Sequence, residues 1–353
     1  MIRVGLVGFG MAGRVFHAPL ISSVEGLELA AVVERSTDMA AERYPGITTY
    51  RSVEELLADA SIKLVVVATP NSSHFPIAMQ ALEAAKSVVV DKPVALSSGE
   101  VVQLAELAGG IGLHVIPFHN RRFDSDFLTI RKLMDERSLG RMVHFESNFD
   151  RWRPGPSSRV WKEETDEGGI LFDLGTHLVD QALMLFGQPA AVGAEVLRER
   201  DGEGSNDAFT IRLHYFSGFS VTLGANCLSS LARPRFHLRG SKGNFWKWGL
   251  DPQEDALNNV AKITDTNWGE EPNDRWGTLS ADVDGDIVTR PVPSTPGDYR
   301  LFYAGVRDLL LGDAAAAPVT PTEAWRAIRV LEWAKQSSEL HRDVECDWSG
   351  EPA

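Results

Sequence analysis

The chain has 353 residues, of which 43% are hydrophobic and 24% are charged, and its formal net charge is −14. This length suits two domains with a core each, and the negative charge disfavours binding to nucleic acid phosphates or to anionic membranes. The two cysteines, Cys227 and Cys346, form no CxxC pair, so we expect neither a disulfide framework nor a structural zinc site.

Five short apolar runs follow one another in the first third of the chain. They are rich in β-branched residues and alternate with helical patterns, which is typical of a parallel sheet buried on both faces. Residues 1–119 are therefore predicted to form an α/β Rossmann domain with a doubly wound parallel sheet. No run reaches the roughly 18 apolar residues of a membrane span, and the N-terminus lacks a secretion-signal pattern, so we expect a cytoplasmic protein. The runs are residues 2–8, 27–34, 62–69, 87–90 and 113–118.

The pattern changes after about residue 140. Residues 142–152, 207–227 and 235–249 alternate apolar and polar side chains around Gly-containing turns, as antiparallel strands with one covered face do. Residues 250–298 are rich in Asp, Asn, Gly and Pro and are predicted to be mostly loop. The sequence Thr320-Pro-Thr-Glu323 is a capping box that predicts a last helix over about 321–341. Residues 120–353 are thus expected to form an α+β substrate-binding and oligomerisation domain with a large, mostly antiparallel open sheet.

A GxGxxG pattern directly follows the first predicted strand. Such glycines allow a tight turn, a close approach of the backbone to a pyrophosphate, and close packing of the next helix, whose N-terminus attracts negative charge. Glu34, at the end of the second strand, completes the context of a dinucleotide site. Its carboxylate favours NAD, whereas Arg35 either favours NADP by binding the 2′-phosphate or forms a solvated ion pair. The pattern consists of Gly8, Phe9, Gly10, Met11, Ala12 and Gly13.

Two further segments, 68–74 (ATPNSSH) and 88–97 (VVVDKPVALS), also follow predicted strands. Ligands of open α/β sheets bind outside the carboxyl ends of the strands, so both segments should reach the cofactor. Lys92 precedes a proline, which restricts its backbone. A lysine near an apolar cleft loses hydration, which lowers its pKa and lets it share a proton with a reacting oxygen; the alternative is an exposed loop lysine. The candidate cofactor-binding residues here are Thr69, Pro70, Asn71, His74, Asp91 and Lys92.

An apolar helix is predicted over residues 168–181, and it carries polar side chains at i, i+4 and i+7. Asp173, His177 and Asp180 admit three interpretations: metal ligands, a catalytic base with orienting acids, or polar groups that satisfy one another at an interface. The lack of cysteines and of a second His/acid cluster disfavours a metal. Two acids beside an imidazole are suited to orienting an acid/base group.

These motifs, taken in order, resemble those of the Gfo/Idh/MocA oxidoreductases, and the resemblance extends through nearly the whole chain. The stretches 118–140 and 249–257 are most similar to the NADP-dependent scyllo-inositol dehydrogenase branch. Glu34 departs from that branch, in which a small polar residue commonly precedes the arginine. The motifs are GxGxxG, TPNSSH, DKP, FHNRRFD (118–124) and GGILFDLGTHLVD (168–180).

The resemblance implies a catalytic role for three residues. Lys92 is expected to contact the nicotinamide region and the substrate hydroxyl, and Asp91 before it replaces the family's usual Glu. His177 is expected to accept the proton of the substrate hydroxyl, while Asp173 positions the substrate or the imidazole. We expect Asp180 to be a structural partner of His177.

The resemblance also places residues around the site. The Lys92–Pro93 peptide bond is often cis in relatives. Asn120 and Arg121 match the family's segment at the domain junction, near cofactor and substrate. Trp161 belongs to the loop 151–161, which is expected to shape the substrate pocket.

The implied activity is an NAD- or NADP-dependent dehydrogenase that transfers hydride between the nicotinamide and a hydroxyl carbon of a cyclic polyol or sugar. A dinucleotide-binding regulator without turnover and an NAD-dependent glycosidase are the alternatives. Family members commonly associate through the open faces of their second-domain sheets, which implies a homodimer or homotetramer.

Overall fold

The first half of the chain forms a six-stranded sheet in the computed structural model, which describes residues 1–155, 169–202, 204–259 and 263–352. Its strands are β1 (Ile2–Val7), β2 (Leu27–Val33), β3 (Thr48–Tyr50), β4 (Leu64–Val67), β5 (Ser87–Val90) and β6 (Val115–Pro117). The order is β3-β2-β1-β4-β5-β6, and all neighbours are parallel. The strand order reverses between β1 and β4, and ligands of such sheets bind at the carboxyl ends of the strands beside that point.

The helices of this half lie on both faces of the sheet, as the doubly wound prediction requires. They are α1 (Ala18–Ser23), α2 (Met39–Arg43), α3 (Val53–Ala58), α4 (His74–Glu83) and α5 (Ser98–Ile111). A π-helical turn, Gly13–His17, precedes α1, and 3-10 turns cover Asn71–Ser73 and Asn120–Phe123. Strands β4 and β5 are buried along their whole length, which explains their continuous apolar sequence.

The second half forms a nine-stranded sheet. Its strands are β7 (Met142–Asn148), β8 (Ala191–Leu197), β9 (Ala208–His214), β10 (Ser220–Asn226), β11 (Phe236–Gly240), β12 (Gly243–Lys247), β13 (Gly277–Val283), β14 (Asp286–Val292) and β15 (Val344–Glu345). The order is β14-β13-β12-β11-β7-β10-β9-β8-β15. Among the described strand pairs of this second sheet, only β7–β10 is parallel, which confirms the mostly antiparallel sheet.

The expectation that residues 250–298 are mostly loop missed two elements of regular structure. The segment contains α8 (Gln253–Asn258), a 3-10 turn at Asn273–Arg275, and the β13–β14 hairpin. The hairpin turns at Asp284-Gly285, where both residues have positive φ angles of 55° and 96°, as a two-residue type I′ turn requires. Strand β14 is exposed at all positions but its last, because it lies at the sheet edge, and so it lacks an alternating apolar pattern.

Helices from the second half connect the two sheets. They are α6 (Ser125–Asp135), α7 (Thr176–Phe186), α9 (Arg300–Leu310) and α10 (Pro321–Leu340). The last begins at the predicted capping box, in which Thr320 and Glu323 each accept a backbone hydrogen bond from the other. On α10, Glu332 accepts hydrogen bonds from the Ser98 backbone and hydroxyl on α5, while Ser337 accepts one from the Ala194 backbone on β8. No helix of the described residues is long and apolar enough to cross a membrane.

Candidate active site

The three glycines of the GxGxxG turn have different surroundings. Gly8 directly follows β1 and has a φ of +96°, and a β-carbon there would lie 2.6 Å from the Ala68 carbonyl oxygen. A β-carbon at Gly13 would lie 2.1 Å from the Gly8 carbonyl oxygen, so this glycine lets the helix pack on the turn. A β-carbon at Gly10 would meet nothing within 4 Å. The turn therefore has the tight bend, the close helix packing and the open backbone that a dinucleotide pyrophosphate requires.

The acid at the end of β2 is part of the loop that follows. Glu34 is 5% exposed, and its two carboxylate oxygens accept hydrogen bonds from the Thr37 hydroxyl (2.6 Å) and the Ala40 backbone (2.8 Å). Arg51 donates to the carbonyl oxygens of Glu34 and Thr37, which fixes the loop further. Arg35, in contrast, is exposed. The carboxylate expected to select NAD thus stabilises the protein itself, and Arg35 is left facing solvent.

The loops after β4 and β5 are joined by His74. Its side chain is 1% exposed, with Nδ1 2.7 Å from the Pro93 carbonyl oxygen and Nε2 2.8 Å from the Thr69 carbonyl oxygen. Both ring nitrogens are therefore engaged by the protein, and the assignment of His74 to the cofactor site stays a prediction. Similarly, the side chain of Phe9 is buried edge-on against Tyr44, which leaves only its backbone for the turn.

Lys92 and Asp173 come together across the two domains. The Lys92 ammonium donates to Asp173 Oδ1 at 2.8 Å and to the Asp173 carbonyl oxygen at 2.5 Å. Arg151 Nη1 lies 3.4 Å from Asp173 Oδ2. On the other side, Asp91 Oδ1 accepts from the Lys92 backbone N–H, and the Lys92–Pro93 peptide bond is cis, as the resemblance implied. These hydrogen bonds fix the Lys92 side chain, of which 16% is accessible, so Lys92 is not an exposed loop lysine.

His177 lies on α7 one helical turn after Asp173 and is 5% exposed. Its Nδ1 has no hydrogen-bond partner among the described residues. Burial lowers the pKa of His177 well below its usual value, and the positive charges of Lys92 and Arg121 lower it further, against a smaller opposing effect of Asp173. The imidazole is therefore neutral at pH 7 and has a lone pair with which to accept a proton.

The expectation that Asp180 is a partner of His177 is wrong. Asp180 accepts two hydrogen bonds from Arg122, at 2.9 Å from Nε and 2.6 Å from Nη2. Burial raises the pKa of Asp180, but Arg122 and His119 outweigh this effect and hold it below the usual value. His177 and Asp180 both lie on the regular helix α7, but the guanidinium of Arg122, from the turn Asn120–Phe123, makes two charge-assisted hydrogen bonds to the Asp180 carboxylate and takes it as partner.

Arg121 and its neighbours form the wall of the site next to the domain junction. Arg121 donates to Glu254 Oε2 at 2.5 Å and to Asp124 Oδ2 at 3.3 Å, and its guanidinium lies 5.0 Å from the Phe149 ring centroid. Arg151 lies at the same distance from that ring. Arg151 and Glu254 were not predicted as site residues.

The other predicted site residues have the following locations. Asn120 is 5% exposed at the start of its 3-10 turn, and Asn71 begins the one before α4. Met11 and Ala12 are half-buried beside the glycine turn, and Thr69 accepts a hydrogen bond from Ser73. Pro70 is exposed in the same loop. Trp161 and Gly168 lie outside the described residues, and in the described part no three His, Cys, Asp or Glu side chains are placed to hold a metal ion.

Comparisons with known protein families match both halves of the chain. Residues 2–119 match the model described as "Oxidoreductase family, NAD-binding Rossmann fold", and residues 127–246 match the "GFO/IDH/MocA C-terminal domain". Together these models cover well over half of the chain.

Individual proteins are similar over nearly their whole length. The chain is 39% identical to an uncharacterized oxidoreductase, YdgJ, of Escherichia coli (strain K12) over 98% of each chain. It is 34% identical to scyllo-inositol 2-dehydrogenase (NADP(+)) IolW of Bacillus subtilis (strain 168), over 97% of this chain and 95% of the relative. A solved oxidoreductase structure from Yersinia pestis matches with a TM-score of 0.93 and 39% identity, over 99% of this chain and 98% of that one. The chain belongs to the Gfo/Idh/MocA family of NAD(P)-binding oxidoreductases.

Proposed function

We propose that this oxidoreductase is a dehydrogenase that oxidises a secondary hydroxyl of a cyclic polyol of the inositol class. The observation that carries the proposal is the ion pair of Lys92 with Asp173 across the two domains. The ammonium of Lys92 is close enough to His177 to lower the pKa of the imidazole. The similarity to an NADP-dependent scyllo-inositol dehydrogenase supports the substrate class.

The glycine turn would hold the dinucleotide. Gly8 and Gly13 allow the tight bend and the close packing of the helix on it, and Gly10 leaves open space where the pyrophosphate can approach the backbone. Arg35 is exposed at the end of β2, where it can pair with a 2′-phosphate, which favours NADP. When bound, the nicotinamide supplies the acceptor for the hydride.

His177 would act as the general base. It is neutral because burial and two nearby cations disfavour its charged form, so its lone pair is available at neutral pH. A base must be within hydrogen-bond reach of the hydroxyl whose proton it accepts. Nδ1 of this nearly buried imidazole has no hydrogen-bond partner among the described residues.

Lys92 would stabilise the negative charge that develops on the substrate oxygen. An ammonium aimed at this oxygen in a site with little water contributes more than it would in bulk solvent. Asp173 holds the ammonium through its side chain and its backbone carbonyl, so Lys92 requires little reorganisation. Asp173 is thereby a positioning residue for Lys92.

The polar wall suits a polyol. Arg121, Arg151 and Glu254 add donors and an acceptor to those of Lys92 and Asp173. A cyclic polyol presents hydroxyl groups around its whole ring, each of which donates and accepts, and a mixed wall of this kind can satisfy them.

The test is a substrate screen with purified protein. Scyllo-inositol, myo-inositol, aldoses and gluconolactone are each assayed with NAD⁺ and NADP⁺ or their reduced forms, and nicotinamide absorbance is followed. We expect turnover of a cyclic polyol, and its loss in Lys92→Met but not in Lys132→Met, which changes an exposed lysine. Cofactor binding without turnover of any compound would favour a regulator, and glycoside cleavage without net absorbance change would favour a glycosidase.

We also propose that the chain forms a homo-oligomer through the open face of the nine-stranded sheet. Along β12, Phe245 and Lys247 are buried, while Trp246 between them is 40% exposed. Its indole packs against His237 of the neighbouring strand, with ring centroids 4.1 Å apart and ring planes tilted by 31°, so an aromatic surface lies on this face. Light scattering should report a dimer or tetramer that Trp246→Glu weakens; a monomeric wild-type protein would contradict the proposal.

A further inference from the structure

Both ring nitrogens of His74 contact backbone carbonyl oxygens, which cannot donate a hydrogen bond. Nδ1 is 2.7 Å from the carbonyl oxygen of Pro93 and Nε2 is 2.8 Å from that of Thr69. A carbonyl oxygen only accepts hydrogen bonds, so each contact is a hydrogen bond only if the ring nitrogen carries a proton. The side chain is 1% exposed, so water does not take the place of either partner.

A neutral imidazole has one N–H. In that form, one of the two contacts would bring a nitrogen lone pair against an oxygen lone pair and leave a buried carbonyl without its donor. We propose that His74 is a doubly protonated imidazolium in the folded protein, and that it positions the loop that contains Lys92.

Three titratable side chains flank this position. His17 on the π-helical turn is buried, and burial lowers its pKa to about 4, with His74 contributing in the same direction, so His17 is neutral. Its Nδ1 is hydrogen-bonded to the Tyr303 hydroxyl at 2.7 Å. The other two, Asp91 and Lys92, lie on the β5 loop itself, and the Asp91 carboxylate is 4.0 Å from His17 Nε2.

The position of His74 at the start of a helix disfavours a positive charge on the imidazole, whereas the two carbonyl oxygens favour that charge. His74 is the first residue of α4, where the helix dipole disfavours a cation. Charge-assisted hydrogen bonds are roughly twice as strong as neutral ones, and two of them are made at short distances in a buried site. The pair of hydrogen bonds therefore outweighs the dipole.

The consequence is a link between the protonation of His74 and the placement of Lys92. Pro93 follows Lys92 directly, and its carbonyl is fixed by Nδ1, while Asp91 fixes the Lys92 backbone N–H from the other side. Deprotonation releases one of the two carbonyls. Its effect on turnover rests on the proposed function.

Nitrogen NMR of the cofactor-free protein, labelled with ¹⁵N at histidine, tests the charge directly. We expect both ring nitrogens of His74 to show the chemical shifts and proton couplings of N–H groups at pH 7. A spectrum with one protonated and one unprotonated nitrogen would overturn the proposal. His74→Phe identifies the resonances, and His341→Asn, which changes an exposed histidine, is the control. This measurement uses the wild-type chain and does not depend on any substrate.

Kinetics with scyllo-inositol and NADP⁺ test the positioning. His74→Phe keeps a ring of similar size but removes both donors, and we expect kcat to fall about tenfold or more while the Kd for NADP⁺ changes less than about threefold. His74→Gln, which keeps one donor group, should recover part of kcat. Wild-type kcat and pH profile in His74→Phe would contradict the positioning role. If the wild-type protein turns over no polyol, the proposed function fails while the NMR result still decides the charge of His74.

Discussion

Gly10→Ala separates cofactor binding from folding more cleanly than any other change in the glycine turn. A β-carbon at Gly10 meets no atom within 4 Å, and this residue is not among the glycines with positive φ. The folded chain should therefore accept alanine, with a gain of about 0.4–1 kcal/mol through the less flexible unfolded state. The methyl group would occupy the open space through which a pyrophosphate approaches the backbone. We expect the Kd for NADP⁺ to rise at least about tenfold, or about 1.4 kcal/mol.

Isothermal titration calorimetry with NADP⁺ and NAD⁺, together with urea unfolding, measures both quantities. Gly99→Ala is the matched control, because its β-carbon also meets nothing within 4 Å and it lies on α5. Gly13→Ala is the opposite case, since its β-carbon would lie 2.1 Å from a backbone oxygen, and it should lower stability by about 1–3 kcal/mol. Wild-type affinity for NADP⁺ in Gly10→Ala would refute the assignment of the turn.

Three further variants test other parts of the account. Arg35→Ala should raise the Kd for NADP⁺ about tenfold and that for NAD⁺ less than about twofold, because only NADP⁺ has the 2′-phosphate; equal losses in calorimetry would contradict this. Lys92→Met removes a positive charge that lowers the pKa of His177, so an NMR titration should show that pKa rising toward its usual value, and a fall would contradict the coupling. Lys247→Met leaves the fully buried Glu271 without its ion partner and should cost about 3–5 kcal/mol in urea unfolding; a loss below about 1 kcal/mol would show that the pair is unimportant.

The first sheet could be predicted because its strands are buried on both faces. The apolar runs at β1, β2, β4, β5 and β6 are consequences of that burial, and each of them matched a strand. Strand β3 was missed because it has three residues, exposed or half-buried, and carries no such run.

The β13–β14 hairpin was missed because the composition of its segment is typical of loops. An edge strand of a sheet needs no apolar alternation, so β14 looked like loop. The Asp284-Gly285 pair was the available signal, since Asp-Gly between two short segments favours a type I′ turn. The missed helix α8 has a consequence for the site, because it carries Glu254, the partner of Arg121.

The sequence predicted several of the residues of the site but not which of them contact one another. Lys92 and Asp173 are separated by 81 positions and meet only because the two domains pack together. The partner of Asp180 could not be read from helical spacing, because it is Arg122 on a distant turn of the chain, which only the fold brings against α7. His74 followed the right strand, but only the fold shows that both of its ring nitrogens contact backbone carbonyls.

The central claim is that His177 takes the hydroxyl proton at a site completed by Lys92. Its most direct test compares wild type and His177→Ala in NADP⁺-dependent turnover of scyllo-inositol and, separately, in the Kd for NADP⁺. Loss of a general base typically costs about 10²–10⁴-fold in rate, so we predict a fall in kcat of that size with a change in Kd below about threefold. Comparable losses in kcat and in cofactor affinity, or unchanged turnover, would contradict the account.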